Sequence, residues 1–229
     1  METFDYIIIG AGSAGCVLAN RLSENPSLNI LLIEAGGSDK HPYIQAPAGF
    51  LKTFDNLRFN WCYQTKEGEG VGGRKIFFPR GKVLGGSSSI SGHLYVRGQS
   101  KDFDHWAELG NLGWSYKEVL PYFIKSEDRS TGKDSYHGVG GPQHVSDVLE
   151  RHPLCDLFVQ GAQDLGVRVN PDYNGESQEG VSYYQRTILN GRRHSASTAF
   201  LDPIRNRANL RIITGALVER LTFEGKQVK

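Results

Sequence analysis

No apolar run in this chain approaches the ~20 residues that a membrane-spanning helix needs, so no such helix is expected from the sequence. Cysteine is scarce: Cys16, Cys62 and Cys155 are odd in number and far apart. Neither a disulfide framework nor a metal cage is therefore expected, and a reducing compartment fits them best. An excess of one charge is missing too. The 26 basic and 25 acidic residues leave a formal charge of +1, which gives no electrostatic reason to expect nucleic acid or an acidic surface as partner. Internal repeats and low-complexity tracts are absent. No leader is expected, because Met1-Glu2-Thr3-Phe4-Asp5 is acidic and runs straight into a strand. What the chain has in excess is glycine. Its 28 glycines in 229 residues are about 12% of the chain, against a usual ~7%, and show no collagen-like period. That excess points to turns and to backbone lying close to a ligand. The length suffices for one large domain or two small ones with a sizeable core.

The first glycine cluster carries the most information. Phe4-Asp5-Tyr6-Ile7-Ile8-Ile9 is an apolar strand running into Gly10-Ala11-Gly12-Ser13-Ala14-Gly15, a G-x-G-x-x-G turn. A second apolar run, Asn29-Ile30-Leu31-Leu32-Ile33, closes on Glu34, nineteen residues past Gly15. Strand, glycine turn, helix, strand and acid together form the sequence pattern of a dinucleotide-binding βαβ unit. Gly10 suits the tight turn, Gly12 lets backbone approach a pyrophosphate, and Gly15 lets the helix pack close to the sheet. The helix amides at Ser13 and Ala14 would face the phosphates with the positive end of the macrodipole. Glu34 can accept both hydroxyls of an adenosine ribose, and its charge disfavours a 2′-phosphate. Ala14, Val17, Leu18 and Leu22 fall on one helical face, and Ser23-Glu24-Asn25-Pro26 ends the helix. Cys16 reads as a small residue packed under the sheet rather than a reactive thiolate.

An irregular stretch to about residue 75 includes Trp61 and Tyr63 in a short strand, both read as core packing. The second dense motif follows: Phe78-Pro79-Arg80-Gly81-Lys82-Val83-Leu84-Gly85-Gly86-Ser87-Ser88-Ser89-Ile90-Ser91-Gly92. Residues 102–112 read as a helix with Phe103 and Trp106 inward. Ser115-Tyr116-Lys117-Glu118 is a capping box before Val119, Leu120, Tyr122 and Phe123. Residues 126–141 read as a loop, and 154–165 as an amphipathic helix ended by Gly166. Strands are expected at 181–187, 210–214 and 217–223. Residues 222–229 read as a strand, a glycine turn and the start of a returning strand, which suggests a longer polypeptide. His41, His105, His137, His144, His152 and His194 show no ligand spacing and no Ser/Asp partnership, and read as structural or solvated rather than catalytic. Arg192-Arg193-His194 reads as a solvated turn.

These motifs resemble the N-terminal part of a glucose–methanol–choline (GMC) flavoprotein oxidoreductase, in the branch of bacterial choline and aliphatic-alcohol dehydrogenases. Further residues carry the likeness in the family's order: Tyr95-Val96-Arg97-Gly98, Gly113-Trp114-Ser115-Tyr116, His137-Gly138-Val139-Gly140-Gly141-Pro142 and Arg193-His194-Ser195-Ala196. The resemblance implies an α/β fold: a Rossmann-like FAD-binding domain with the beginning of an α+β substrate domain, truncated. The flavin part would run over about 1–150 and 180–229, and the substrate side over about 35–75 and 150–180. The catalytic histidine of such enzymes would lie in a C-terminal domain beyond this sequence, so no catalytic residue is assigned here, and no metal ligand.

By the same resemblance Gly10, Gly12, Ser13, Ala14 and Gly15 form the pyrophosphate turn, with Glu34 and Ala35 at the ribose. Arg80 can neutralise phosphate charge. Val83, Gly86 and Ser87 run beside the flavin, followed by Ser91, Gly92, His93 and Leu94; Val218 contacts adenine. Ser91 replaces the asparagine or histidine usual there and reaches less far. Members with a covalent flavin carry histidine where this chain has Ile90, so noncovalent FAD is expected. The activity implied is oxidation of an alcohol CH–OH group, with hydride passing to flavin N5 and electrons to oxygen, a quinone or a dye. The location implied is cytoplasmic, or peripheral on the inner membrane face. Two other readings stand beside it: a nucleotide-binding module without catalysis, and an inactive truncated remnant. A nicotinamide dehydrogenase is disfavoured, because the Gly85–Ser89 loop has no role there.

Overall fold

The structure, a computed structural model, describes residues 2–228. In chain order its main elements are β1 (Tyr6–Ile9), α1 (Ser13–Leu22), β2 (Ile30–Ile33), α2 (Pro42–Gln45), β3 (Tyr63–Gln64) and β4 (Phe77–Phe78). These are followed by α3 (Ser100–Glu108), α4 (Tyr116–Ser126), β5 (Glu127–Arg129), β6 (Gln143–Val145), α5 (Pro153–Asp164) and β7 (Ile188–Leu189). Last come β8 (Arg192–Arg193), β9 (Leu210–Ile213), β10 (Phe223–Glu224) and β11 (Gln227–Val228). Two compact units emerge: one formed by residues up to Gly92 and from Gly191 onward, the other by His93–Asn190. The compact units divide at 92/93 and 190/191.

The first unit is built on a parallel sheet in the order β1-β2-β9. Tyr6 is paired with Ile30, and Ile30 with Leu210. The central strand buries Ile30, Leu31 and Leu32, the unbroken apolar run expected of a parallel strand covered on both faces. α1 packs on this sheet through a face that differs from the expected one. Gly15, Cys16, Ala19 and Asn20 are buried, whereas Ala14 and Leu18 are exposed. Distance explains the change: a Cβ on Gly15 would lie 2.0 Å from the Gly10 carbonyl oxygen. Where helix and strand lie this close, only small side chains fit between them, and larger ones turn to the flanks. Cys16 is completely buried, and burial pushes its thiol up to about 12, so it is an inert packing residue.

Of the strands expected late in the chain, 210–214 forms as β9 and the hairpin forms as β10 paired with β11; its end at Lys229, like Met1, lies outside the described residues. Residues 217–222 form no strand. Residues 181–187 make only isolated bridges, at Val181 and Arg186. Aromatic side chains there serve packing instead, as in the edge-on contact of Tyr184 with Tyr173.

In the second unit the expected helix of 102–112 is shifted to α3, and Trp106 is 46% exposed rather than inward. The Ser115–Glu118 capping box forms as read, with Glu118 accepting from the Ser115 hydroxyl at 2.6 Å. The expected loop of 126–141 contains β5, which pairs in parallel with β6. α5 starts one residue early, and its Leu154, Leu157 and Phe158 are exposed.

The interior of this unit is charged, and two of its histidines pair with acids. His137 Nδ1 lies 3.0 Å from Glu127 Oε2, and its Nε2 lies 2.9 Å from Asp172 Oδ2. Arg97 reaches the same Glu127 oxygen at 3.0 Å, and the Gly138 amide donates to it at 2.8 Å. Arg129 pairs with Asp134 at 2.9 Å and approaches Asp172 at 3.6 Å. Three carboxylates thus face two guanidinium groups and an imidazole, so Asp134, His137 and Asp172, though close together, already have cationic or acidic partners from the chain. His144 pairs with Asp128 at 2.9 Å. His41 and His152 cap α2 and α5 by accepting from Tyr43 and Leu154 amides.

Burial alone would raise the Glu127 carboxyl, but the His137 hydrogen bond, the Gly138 amide and Arg97 outweigh it, and its pKa falls below the ordinary 4.5. A carboxyl depressed in the folded state contributes stability above its unfolded pKa and loses it as pH falls through the folded value. Acid titration of unfolding free energy is therefore expected to show a proton-linked loss below pH 4.5. Glu127→Gln should diminish that loss and lower stability at neutral pH by about 3–5 kcal/mol, the cost of leaving buried cations without their partner.

Candidate dinucleotide site

The turn after β1 is set by Gly10, whose φ of +94° lies in the left-handed region that glycine adopts without strain. It leads into α1 with Gly12 as N-cap. No side chain caps this helix end, and no acidic residue stands in its first turn. The space before Gly12 is open as well, for a Cβ there would meet nothing within 4 Å. Glu34, at the end of β2, is buried and tied to this turn. Its Oε2 accepts from the Ala11 amide and its Oε1 from the Gly36 amide, each at 2.8 Å. The two bonds fix the carboxylate and leave lone pairs on both oxygens.

The second glycine loop packs directly on the first. Gly85 N donates to Ala11 O at 2.7 Å, and Leu84 N to Gly37 O at 3.0 Å. A Cβ on Gly86 would lie 2.7 Å from Gly12 Cα, and one on Gly36 would lie 1.9 Å from Lys82 O. Two backbones lie against each other here with no room for side chains between them. The serines mostly hold the loop itself: Ser89 Oγ donates to Leu84 O and Ser88 Oγ to Gly85 O, both at 2.6 Å. Ser87 Oγ accepts from Gly81 N at 3.1 Å.

Around these loops lies a cleft of about 360 Å³, lined by Gly10, Gly12, Glu34, Ala35, Arg80, Gly86, Ser87 and Val218. Ser13, Ala14 and Gly15 line an adjoining groove that Gly10 and Gly12 share. Eight of the sixteen candidate residues therefore meet in one cleft, and three more lie beside it. The Val83 side chain is fully buried and packs with Ile44, Phe59 and Ile90, away from the cleft. Ser91, tied to Ser87 through its amide at 2.9 Å, and Gly92 do not line it. His93 and Leu94 belong to the second unit, where His93 is buried at a φ of +67° and accepts from the Thr187 amide at 2.9 Å.

Three features went unread in the sequence. Trp61 and Tyr63, expected in the core, line the cleft, and Tyr63 is 48% exposed. Arg193, expected in a solvated turn, is 1% exposed. It donates to Ile44 O at 2.9 Å and Ser88 O at 3.0 Å, and burial lowers its pKa to about 10. The third is Asn60, fully buried, whose Oδ1 accepts from the amides of both Cys62 and Arg80 at 2.9 Å.

A parallel sheet whose first turn is an uncapped helix start, with an acid at the tip of the next strand, defines a dinucleotide-binding α/β protein. The chain also matches a family model, that of the GMC oxidoreductases, over residues 4–229. It belongs to that family, whose members bind FAD. An oxygen-dependent choline dehydrogenase of Brucella anthropi is 43% identical over 223 residues, which are 97% of this chain and 40% of the relative. The crystal structure of pyridoxine 4-oxidase from Mesorbium loti is similar with a TM-score of 0.93 and 38% identity, over 99% of this chain and 45% of that one. An FAD-dependent oxidoreductase from Chaetomium thermophilum gives a TM-score of 0.90 at 30% identity, over 99% and 41%. The chain thus spans about 40% of the length of the curated relatives it matches. No helix among the described residues is long and apolar enough to cross a membrane.

Gly86→Ala tests the loop-on-loop contact. It adds a left-handed alanine at φ +54° to the clash with Gly12. The first unit should lose about 2 kcal/mol or more, read as a lower thermal midpoint.

Proposed function

We propose that this chain holds FAD for an oxidoreductase acting on CH–OH groups of alcohols. The observation that carries the reading is the shared cleft: an uncapped helix start, a fixed acid and a second glycine loop line the same space. FAD, when bound, would accept hydride from the alcohol carbon at flavin N5, giving an aldehyde or ketone.

The residues around the cleft have defined tasks in that reading. The amides at the start of α1 have no acidic side chain to satisfy them, which favours an anion such as pyrophosphate at the positive end of the helix. Arg80 lines the same cleft and adds a full positive charge. Glu34, oriented by two amides, offers acceptors to ribose hydroxyls and repels a 2′-phosphate. Ser87 Oγ supplies a hydroxyl at the cleft wall. Ile90 is buried and offers no atom for a covalent bond to flavin, which supports noncovalent binding. An alcohol substrate, with oxygen or another electron acceptor, is proposed from the likeness to the choline dehydrogenases and pyridoxine oxidase.

Titration of the chain with FAD tests the reading. Saturable binding should appear, NADP should not compete, and acid precipitation should leave the flavin in the supernatant. Glu34→Ala should weaken FAD binding by about tenfold to a hundredfold, the worth of charge-assisted hydrogen bonds. Flavin pelleted with the protein would rule out the noncovalent assignment.

A further inference from the structure

Trp61 and Tyr63 belong to neither glycine loop, yet they line the cleft shared by Gly12, Glu34, Gly86 and Val218. Their rings stack, with centroids 5.8 Å apart and planes 6° from parallel. Core packing does not account for them, since Trp61 is half-buried and Tyr63 exposed.

The backbone between them is strained. Cys62 has a φ of +53°, a conformation unfavourable for residues other than glycine and kept only where the surroundings enforce it. Here Asn60 enforces it. Its one amide oxygen accepts from Cys62 N and Arg80 N at 2.9 Å, and its Nδ2 donates to Phe54 O at 2.6 Å. Trp61 N donates to Arg80 O at 2.9 Å. The aromatic pair is thereby fastened to the segment that leads into the second glycine loop. Cations lie on the aromatic faces: Lys82 Nζ is 4.8 Å from the Trp61 ring, and the Arg80 guanidinium 3.6 Å from the Phe78 ring.

From this arrangement we infer that the Trp61–Tyr63 pair is a stacking wall for the adenosine part of the cofactor, an inference that rests on the FAD reading above. The cleft that the pair lines is the one holding Glu34, Ala35 and Val218, the residues assigned to ribose and adenine. Of the residues assigned beside the flavin, Gly86 and Ser87 stand at its wall, while Ser91 and Gly92 do not line it. An exposed, rigid aromatic pair gains little from water and much from a base, because every base presents a π-face to stack on. The neighbouring Arg80 and Lys82 supply positive charge suited to the attached phosphates.

Binding of FAD, AMP and FMN to the whole chain distinguishes the possibilities. AMP and FAD should quench the indole emission and FMN should not. Trp61→Phe should remove the quenching while keeping most of the affinity, which assigns the signal to Trp61 rather than Trp106 or Trp114. Trp61→Ala and Tyr63→Ala should each weaken AMP and FAD binding by about tenfold or more, with thermal midpoints unchanged. If Trp61→Ala does not fold, Tyr63→Ala and the AMP-dependent quenching of the unaltered chain decide. Undiminished FAD and AMP affinity in the folded variants overturns the stacking wall and leaves the FAD reading intact. Loss confined to FMN also overturns it, by moving the pair to the flavin. An unaltered chain that binds neither FAD nor AMP overturns both.

Discussion

The contact between two glycine-rich backbones governs the first unit. Gly86 lies so close to Gly12 that a single added carbon would stand 2.7 Å from its Cα. The Gly85 amide is bonded to the Ala11 carbonyl in the same place. That proximity requires glycine at position 86, while the close seating of α1 on the sheet rests on a second such contact, Gly15 against the Gly10 carbonyl. Glu34 completes the arrangement by bridging the amides of Ala11 and Gly36. One carboxylate therefore holds the first turn to the end of β2, and Gly36 in turn lies against Lys82 of the second loop.

Buried charges are held in two ways. The second unit buries cations and carboxylates together, so that Glu127 is held by His137, Arg97 and a backbone amide. The first buries Arg193 with no carboxylate hydrogen-bonded to it among the described residues. Its guanidinium reaches two carbonyl oxygens, and burial lowers its pKa to about 10. A buried charge of this kind is costly, and carbonyl dipoles offset only part of the cost. What the unit gains is a rigid link between Ile44 and Ser88, which are distant in the chain.

Much of the dinucleotide unit was legible because its signals are local. An apolar strand, three spaced glycines and an acid at a fixed distance leave few alternatives, and β1, α1, β2 and Glu34 stand where that pattern puts them. The buried face of α1 was misread for a physical reason. Hydrophobic periodicity selects large side chains, whereas a helix lying at glycine-contact distance buries small ones. Residues 181–187 have strand composition without strand pairing, because composition cannot say whether a partner edge is within reach. The His137–Glu127–Asp172 network was invisible for the opposite reason: its members are 10 and 35 positions apart, and nothing local marks a histidine as buried between two acids.

Trp61 and Tyr63 show the limit of reading aromatics as core. The prior favours burial for such residues, and in an isolated stretch of sequence there is no counter-signal. Their exposure becomes intelligible only once Asn60 is seen to fix the backbone on both sides, through Cys62 and Arg80. A side chain fully buried to hold a strained turn implies that the turn's geometry matters more than its ease of formation. The stacked rings are what that geometry presents to the cleft, alongside Arg80, Gly86 and Ser87. The same hydrogen-bonding oxygen thus couples the backbone between the two rings to the backbone of Arg80, so neither segment can shift without disturbing the other.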